Sequence, residues 1–412
     1  MVSSSETSAP TAPGALTAVF RTEKAVTTKT ESLRPAMAYV FEGGGHLQSP
    51  LEEDLRRVRH AIALDTLAAL SGLARLGELD RVVLVTDRPE LAAQVPDAVE
   101  VVDSAGRPGG DPFHFGLFLA QRIRADRPVL AMVLGGAAAA LCGPEDLRRF
   151  LTLARENPGA VVQNNPQSPD IVAFSPAAAA LGVQLPTTDN ALGQALQLAG
   201  LRRVLVENSA RINFDVDTPT DVALLAGEPG AGPRTRRACG ELDWVARLGP
   251  RLQAVEQVLA GEGTELALFG RVGPPVTAYL NMHLRCRLRV FSEERGMRAL
   301  GRWPDRAVSL MGRLLDEVGA ETFFRLLDGC AGAALIDSRV LMAHWRVPLS
   351  DGDRFYSDIG QADQVSEPRL AAFTAAAWGA TTPTLLGGHT LVYGGLWLLA
   401  DRVIRRQYPA IS

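Results

Sequence analysis

The stretch INFDVDTPTDVALLAG, Ile212 to Gly227, decides how the first half of this chain is read. Two carboxylates, Asp215 and Asp217, stand one residue apart, and a Thr-Pro pair then opens an apolar run of helical spacing. Thr218 with Asp221 reads as a helix N-cap and its reciprocal acid, and Pro219 suits the first helical position. That cap accounts for Thr218, Pro219 and Asp221 but requires neither Asp215 nor Asp217. On an extended segment residues i and i+2 project to the same side. Both carboxylates can therefore face one cation, or one can bind while the other orients it.

Upstream of this stretch, from Ala36 onward, short apolar runs alternate with helical patterns. AMAYVFE, RVVLVTD, VEVVDSA, RPVLAMVLGG, AVVQNN, DIVAFSP, RRVLVEN and INFDVD read as strands. LEEDLRRVRHAIALDTLAALSGLARLG, FHFGLFLAQRIRAD and PEDLRRFLTLAREN read as helices. Such alternation predicts an α/β fold around a mainly parallel sheet, and ligands of such sheets gather at the carboxyl ends of the strands.

Periodicity is lost at residues 228–241, GEPGAGPRTRRACGE being the surrounding sequence, and this segment reads as a linker. Residues 242–412 read as a second, mainly helical domain. Residues 1–35, rich in Ser, Thr, Ala and Pro and without the apolar core of a secretory signal, read as a disordered tail.

The chain has 412 residues, 47% of them apolar, and a formal net charge of −4. That balance gives no electrostatic footprint for nucleic acid or an anionic membrane. No apolar run is long enough to span a bilayer, so a soluble protein is expected. The two lysines, Lys24 and Lys29, lie in the tail, so any phosphate clamp in the body must use Arg or backbone N–H groups. Cys142, Cys239, Cys286 and Cys330 have no paired spacing, which points to a reducing cytoplasm rather than a disulfide framework or zinc site.

The order of βα units, the glycine turn after the first strand and DVDTPTDV after the last together resemble the MobA-like nucleotidyltransferases of the GT-A type. That family includes the molybdenum cofactor guanylyl- and cytidylyltransferases and the phospholactate guanylyltransferases. The resemblance covers residues 36–227 and implies a Rossmann-like GT-A sheet. It also implies an enzyme that moves a nucleoside monophosphate from a nucleoside triphosphate to a phosphorylated or hydroxylated small-molecule acceptor, releasing pyrophosphate. By the same resemblance Gly43, Gly44 and Gly45 match the turn that wraps the nucleotide phosphates. Asp215 and Asp217 match the catalytic, Mg²⁺-binding acidic positions of the terminal motif. Oxygen donors suit Mg²⁺, and glycine permits close approach of backbone N–H groups. His46 and Asp87 are further nucleotide-binding candidates, a surface histidine and a turn aspartate being their plainer readings. Asn164 and Asn165 suit a substrate loop, or ordinary turn chemistry before proline.

Two features depart from the family. Its members end the central strand with Asp-x-Pro, the aspartate being the main metal ligand, whereas this chain reads LGGAAAALCGPEDL from Leu134. The glycine turn is followed by HLQSPLEEDLRR, so the nearest basic residues are Arg56, Arg57 and Arg59, a trio that on an amphipathic helix is usually a solvated face. These departures leave open a non-catalytic nucleotide- or ligand-binding protein on a degenerate transferase fold. A third alternative places a hydrolase or metal site in the second half. There Arg295, Arg298, Asp353, Arg354, Asp358 and His389 interrupt helical patterns and form a second candidate site, or else three surface turns joined by salt bridges. The second half is expected to complete the acceptor pocket or to mediate dimerisation as a homo-oligomer.

Overall fold

The fold is that of a computed structural model describing residues 35–45, 47–105, 113–347 and 349–408. Residues 1–34 of the tail lie outside the described residues. Seven strands, β1 (Ala36–Phe41), β2 (Arg81–Thr86), β3 (Val99–Asp103), β4 (Leu130–Gly135), β5 (Ala160–Gln163), β6 (Ile171–Ser175) and β7 (Arg202–Leu205), form one sheet. Its order is β3-β2-β1-β4-β6-β5-β7. The first four strands are mutually parallel, whereas β6 runs antiparallel to β4 and β5. The turn between β5 and β6 is too short for the crossover that a parallel return requires. The chain reverses direction of winding at β1, whose neighbours are β2 and β4, and this is the switch point at which open α/β sheets hold ligands.

The strands alternate strictly across the sheet. Ala38 and Val40 enter one core with Leu67 and Leu70 of the helix Pro50–Arg75. Met37 and Tyr39 enter the opposite core with Phe115, Phe118 and Phe174. Covering of both faces explains why β1 reads as a continuous apolar run rather than an alternating one.

INFDVD does not form the last strand. Ala210–Asn213 makes one helical turn, and Phe214 to Asp217 runs extended beyond the sheet. Its alternation is nevertheless that of an extended segment, with Phe214 and Val216 fully buried and Asp215 and Asp217 on the other side. The two apolar residues dock into the core that both halves share instead of pairing with β7. The helix Pro219–Ala226 then starts with a full capping box between Thr218 and Asp221.

Within the segment read as a linker, Pro233–Gly240 is a helix. Asp65 of the first long helix receives the Thr235 backbone N–H and hydroxyl, each at 2.9 Å, and so satisfies its first turn.

The second half is mainly helical but also holds a parallel sheet of four strands, β8 (Glu265–Gly270), β9 (Arg287–Ser292), β10 (Ala333–Asp337) and β11 (Thr384–Gly387). Its order is β11-β10-β8-β9. Short apolar runs such as AALID cannot be told from buried helix by periodicity, which is why these strands escape a reading of the sequence. Leu266, Leu268, Leu335 and Leu385 face the core shared with the first half. Ala267, Ala334, Ile336 and Leu386 face a second core with Phe323, Phe324 and Phe373.

The two halves meet without room for slack. Thr220 donates its hydroxyl to the Leu386 carbonyl at 2.6 Å. A Cβ at Gly394 would stand 2.0 Å from the Asn213 carbonyl oxygen. No helix among the described residues is long and apolar enough to cross a membrane.

Candidate functional site

The carboxyl ends of both sheets open onto one cavity of about 510 Å³. The first sheet contributes Glu42 and the glycines Gly43, Gly44 and Gly45, which leave the end of β1. The extended segment supplies Asp215 and Asp217, and the β5–β6 turn supplies Asn165 and Asp170. From the second sheet come Arg271 after β8, Arg295 and Arg298 after β9, Arg339 after β10, and Gly388 and His389 after β11.

Gly44 and Gly45 have φ of 83° and 73°, the left-handed region that glycine enters without strain. Asp87 braces this turn from outside the cavity, accepting the Gly44 N–H at 3.0 Å. A Cβ at Gly43 would stand 2.4 Å from the same carboxylate. Arg88 closes the turn by donating to the carbonyls of Gly44 and Gly45. His46 lies outside the described residues.

Arg59 is the basic residue that enters the site from the first long helix. It holds Glu42 through two bonds of 3.1 Å, the Val216 carbonyl at 2.9 Å and Asp217 at 3.2 Å. Burial works against its charge, but Glu42 and then Asp217 outweigh that and leave its pKa raised. Arg56 also lines the cavity, paired with Glu53 and Glu90. Arg57 is the solvated member of the trio, half exposed and bound to Asp54.

The place of the family's Asp-x-Pro carboxylate is filled differently here. A Cβ on Gly136 would lie 2.5 Å from Glu42 Oε2 and 2.6 Å from Glu42 Cβ, so the glycine is required by the glutamate beside it. Two further carboxylates approach this strand end from other loops. A Cβ on Gly135 would stand 3.8 Å from Asp189 Oδ2, and Asp170, whose backbone carbonyl accepts the Gly135 N–H at 3.4 Å, lines a small pocket with Gly135 and Asp189.

The acids behave as a group. Burial, then the charges of Asp215 and Asp217, push Asp170 well above the usual carboxylate range. Burial and Asp217 likewise raise Asp189. Asp215 is pushed up to about 7, first by burial and then by Asp217, although the Thr390 hydroxyl donates to it and pulls the other way. Asp217 differs from its neighbours. Its side chain is 65% exposed to the cavity, and although the enclosing walls press its pKa upward, Arg59 and then Arg298 bring it below the ordinary value. Asp215 and Asp217 thus separate into a proton-holding carboxyl and an ionised one.

The second candidate set divides. Arg295 and His389 line the cavity. Asp353 does not, its carboxylate being taken by Ser350 and Ser366 at the start of the helix Asp351–Asp358. Asp358 is fully buried in a two-bond pair with Arg339, 2.6 Å at each contact. Arg354 lines the cavity but is paired with Asp351. His389 stacks on Tyr393 with ring centres 5.3 Å apart. Burial, then the Arg271 charge, lower its pKa to about 4, so the imidazole is neutral.

Sequence reading passed over Glu42, Asp170, Asp189, Arg271, Arg339 and Thr390. Arg271 and Arg339 follow strands that were not recognised, so no signal placed them at a sheet edge. Glu42 stands directly before the glycine turn and could have been found there. Among the described residues no group of three or more His, Cys, Asp or Glu side chains stands at metal-holding spacing.

No family profile and no curated protein matches the chain. Solved structures resembling it include a 4-diphosphocytidyl-2C-methyl-D-erythritol synthase, 16% identical over 47% of this chain and 96% of the other, with a TM-score of 0.32. A CMP:2-keto-3-deoxy-manno-octonic acid synthetase complexed with CTP is 14% identical over 45% and 94%, with a TM-score of 0.31. A cytidylyltransferase from Leptospira borgpetersenii serovar Hardjo-bovis is 15% identical over 46% and 84%, with a TM-score of 0.30. At these values a functional reading has to rest on the residues of the cavity.

Proposed function

We propose that this chain is a nucleotidyltransferase that moves a nucleoside monophosphate from a nucleoside triphosphate to a small-molecule acceptor and releases pyrophosphate. The observation that carries the reading is that the Gly43–Gly45 turn and the Asp215/Asp217 segment, far apart in sequence, line one cavity at the switch point of the sheet. The turn offers the N–H groups of Gly43 and Gly45 to phosphate oxygens, that of Gly44 being taken by Asp87. Arg59, fixed from three sides by Glu42, the Val216 carbonyl and Asp217, lines the same cavity without having to reorganise. A transferase of this kind would work on small molecules in the cytoplasm, with neither nucleic acid nor membrane as partner, and the second half would complete the acceptor pocket or join two copies.

The donor set suits a hard divalent cation. Asp215 and Asp217 offer carboxylate oxygens on one side of an extended segment, and the like charge crowded there is what such an ion relieves. Asp217 would hold Mg²⁺ with Asp215 orienting it, phosphate oxygens and water being the other ligands, and the ion would neutralise charge on the reacting phosphates. Asp217, ionised and open to the cavity, is the residue we assign as the direct ligand. Asp215, tied to Thr390, positions it.

Calorimetry of the full chain with each nucleoside triphosphate and Mg²⁺ tests the reading. One nucleotide should bind with Mg²⁺ dependence, and Asp217→Ala should weaken it by about tenfold or more, the loss of one charge-assisted contact. Failure of every nucleotide to bind sinks the proposal.

One observation favours a second reading, a binding protein on a transferase fold. The carboxylate beside Gly136 is Glu42, and Arg59 neutralises it. Nucleotide binding indifferent to Mg²⁺, with no pyrophosphate release over a panel of acceptors, would select this alternative.

A further inference from the structure

We infer that the carboxyl edge of the second sheet is a binding site for a small anionic group, a phosphate or a carboxylate, held by Arg295 and Arg298.

The arginines of the cavity wall are not equivalent. Arg59 is held by Glu42 and Asp217, Arg271 by Asp337, Arg339 by Asp358, and Arg56 and Arg354 by acids of their own helices. Arg295 and Arg298 have no carboxylate partner among the described residues, and Arg298 merely lies over the Trp303 ring, 5.5 Å from its centre. Each paired guanidinium has its charge answered within the protein. The remaining two leave their positive charge unanswered at the cavity wall, Arg295 partly buried and Arg298 exposed.

The loop that carries them uses its own acids elsewhere. Glu294 takes Arg302 in a two-bond pair of 2.5 and 2.6 Å and also accepts the Val308 N–H at 3.0 Å. Glu293 receives the Ser309 hydroxyl and, at 2.9 Å, the Leu310 N–H. These bonds pin the loop at its base. Glu294 and Gly296, at φ of 53° and 72°, give it a turn of left-handed residues, and Met297 anchors it in a small core with Ala307 and Ala343. The two arginines are thus presented by a braced turn rather than by a loose surface segment.

The cavity is polarised as a result. Asp170, Asp215 and Asp217 reach it from segments of the first half, and Arg295 and Arg298 from the loop that follows β9 of the second. Arg298 acts on Asp217 and Asp189, and Arg295 acts on His389 and Tyr393, so the two arginines span from the acidic segment to the stacked rings. A ligand with one anionic group would be oriented along this axis, its anion at the second sheet and its remaining part toward Asp215 and Asp217. Calling this ligand the acceptor rests on the nucleotidyltransferase reading, but the anion site itself does not.

The test is a titration of the full chain with inorganic phosphate and, separately, with acetate, each with and without ATP or CTP plus Mg²⁺. Arg295→Gln, Arg298→Gln and the double variant are compared with the wild type, and each single variant is read separately in case the double folds poorly. We expect one of the two anions to bind, the double variant to weaken it by roughly tenfold or more, and the nucleotide affinity of Arg295→Gln, which removes no charge acting on Asp217, to change less than about twofold. Preference for phosphate over acetate identifies a phosphorylated ligand, and the reverse a carboxylate. Equal anion affinity in wild type and variants, or no anion binding by the wild type, overturns the inference. So does a parallel loss of nucleotide in Arg295→Gln, because that arginine would then belong to the triphosphate. A wild type that binds the anion through these residues but binds no nucleotide refutes the transferase reading and leaves the anion site standing.

Discussion

Glu42 and Arg59 form a two-bond ion pair, 3.1 Å at each contact, against the one glycine of the β4 end that has no space for a side chain. The pair stands where the resemblance called for an aspartate on the central strand. Gly136 is thus a consequence of Glu42. Gly136→Ala is expected to cost about 1–3 kcal/mol, the usual penalty of overpacking, measured by urea unfolding. In a Glu42→Gly background the clashing atoms are gone and the cost of Gly136→Ala should largely vanish. Simple additivity of the two changes would show that this contact is not what selects the glycine.

Among the described residues, Arg339 and Asp358 make the most buried ion pair of the second half. Asp358→Asn leaves a guanidinium without its charge partner and is expected to cost about 3–5 kcal/mol. Replacing both residues, as Arg339→Met with Asp358→Leu, should recover most of that loss. Chemical denaturation of the three proteins decides the matter, and a double replacement no better than the single would assign the pair a stabilising role of its own.

His389 gives the fold a pH dependence of definite sign. Its folded pKa, about 4, lies below the ordinary 6.5. Between those values the unfolded chain binds a proton that the folded chain refuses, so stability falls as pH drops from 6.5 toward 4 and is complete above 6.5. The contribution is about 1–3 kcal/mol. Wild type and His389→Gln should differ in how their unfolding free energy changes between pH 7 and pH 4.5, the variant losing less. Parallel curves would exclude this histidine as the source.

Gly394 packs backbone to backbone against the first half, a Cβ there standing 2.0 Å from the Asn213 carbonyl oxygen. Gly394→Ala must push the last helix away from the segment that carries Asp215, because backbone cannot yield as a flexible side chain can. A loss of about 3 kcal/mol or more is expected, with nucleotide binding impaired alongside it. A melting temperature unchanged from wild type would mean that the two halves can shift relative to each other at no cost.

Much of the first half was legible because its signals are local. The glycine turn follows an apolar run, the β1–β4 strands alternate with long helices, and the capping box of Thr218 and Asp221 is contained in four residues. INFDVD misled because an extended segment that buries alternate residues looks the same in sequence whether it pairs with a strand or docks on another core. The strands β8 to β11 were missed for a related reason. Each is four to six residues long, and apolar runs of that length, such as LALF at 266–269, have no period to separate strand from helix.

The sequence by itself determined the parallel α/β order of the first half, the conformation of its glycine turn and the outward pairing of Asp215 with Asp217, since backbone sterics and the two-residue period of an extended chain depend only on neighbours. Tertiary structure alone decided that a second sheet turns its carboxyl edge to the same cavity. It also decided that Glu42 and Arg59 occupy the space above Gly136, and which arginines keep their charge free. Those outcomes depend on distances between residues remote in the chain, and a charge is free or answered only according to what the fold brings within a few ångströms of it.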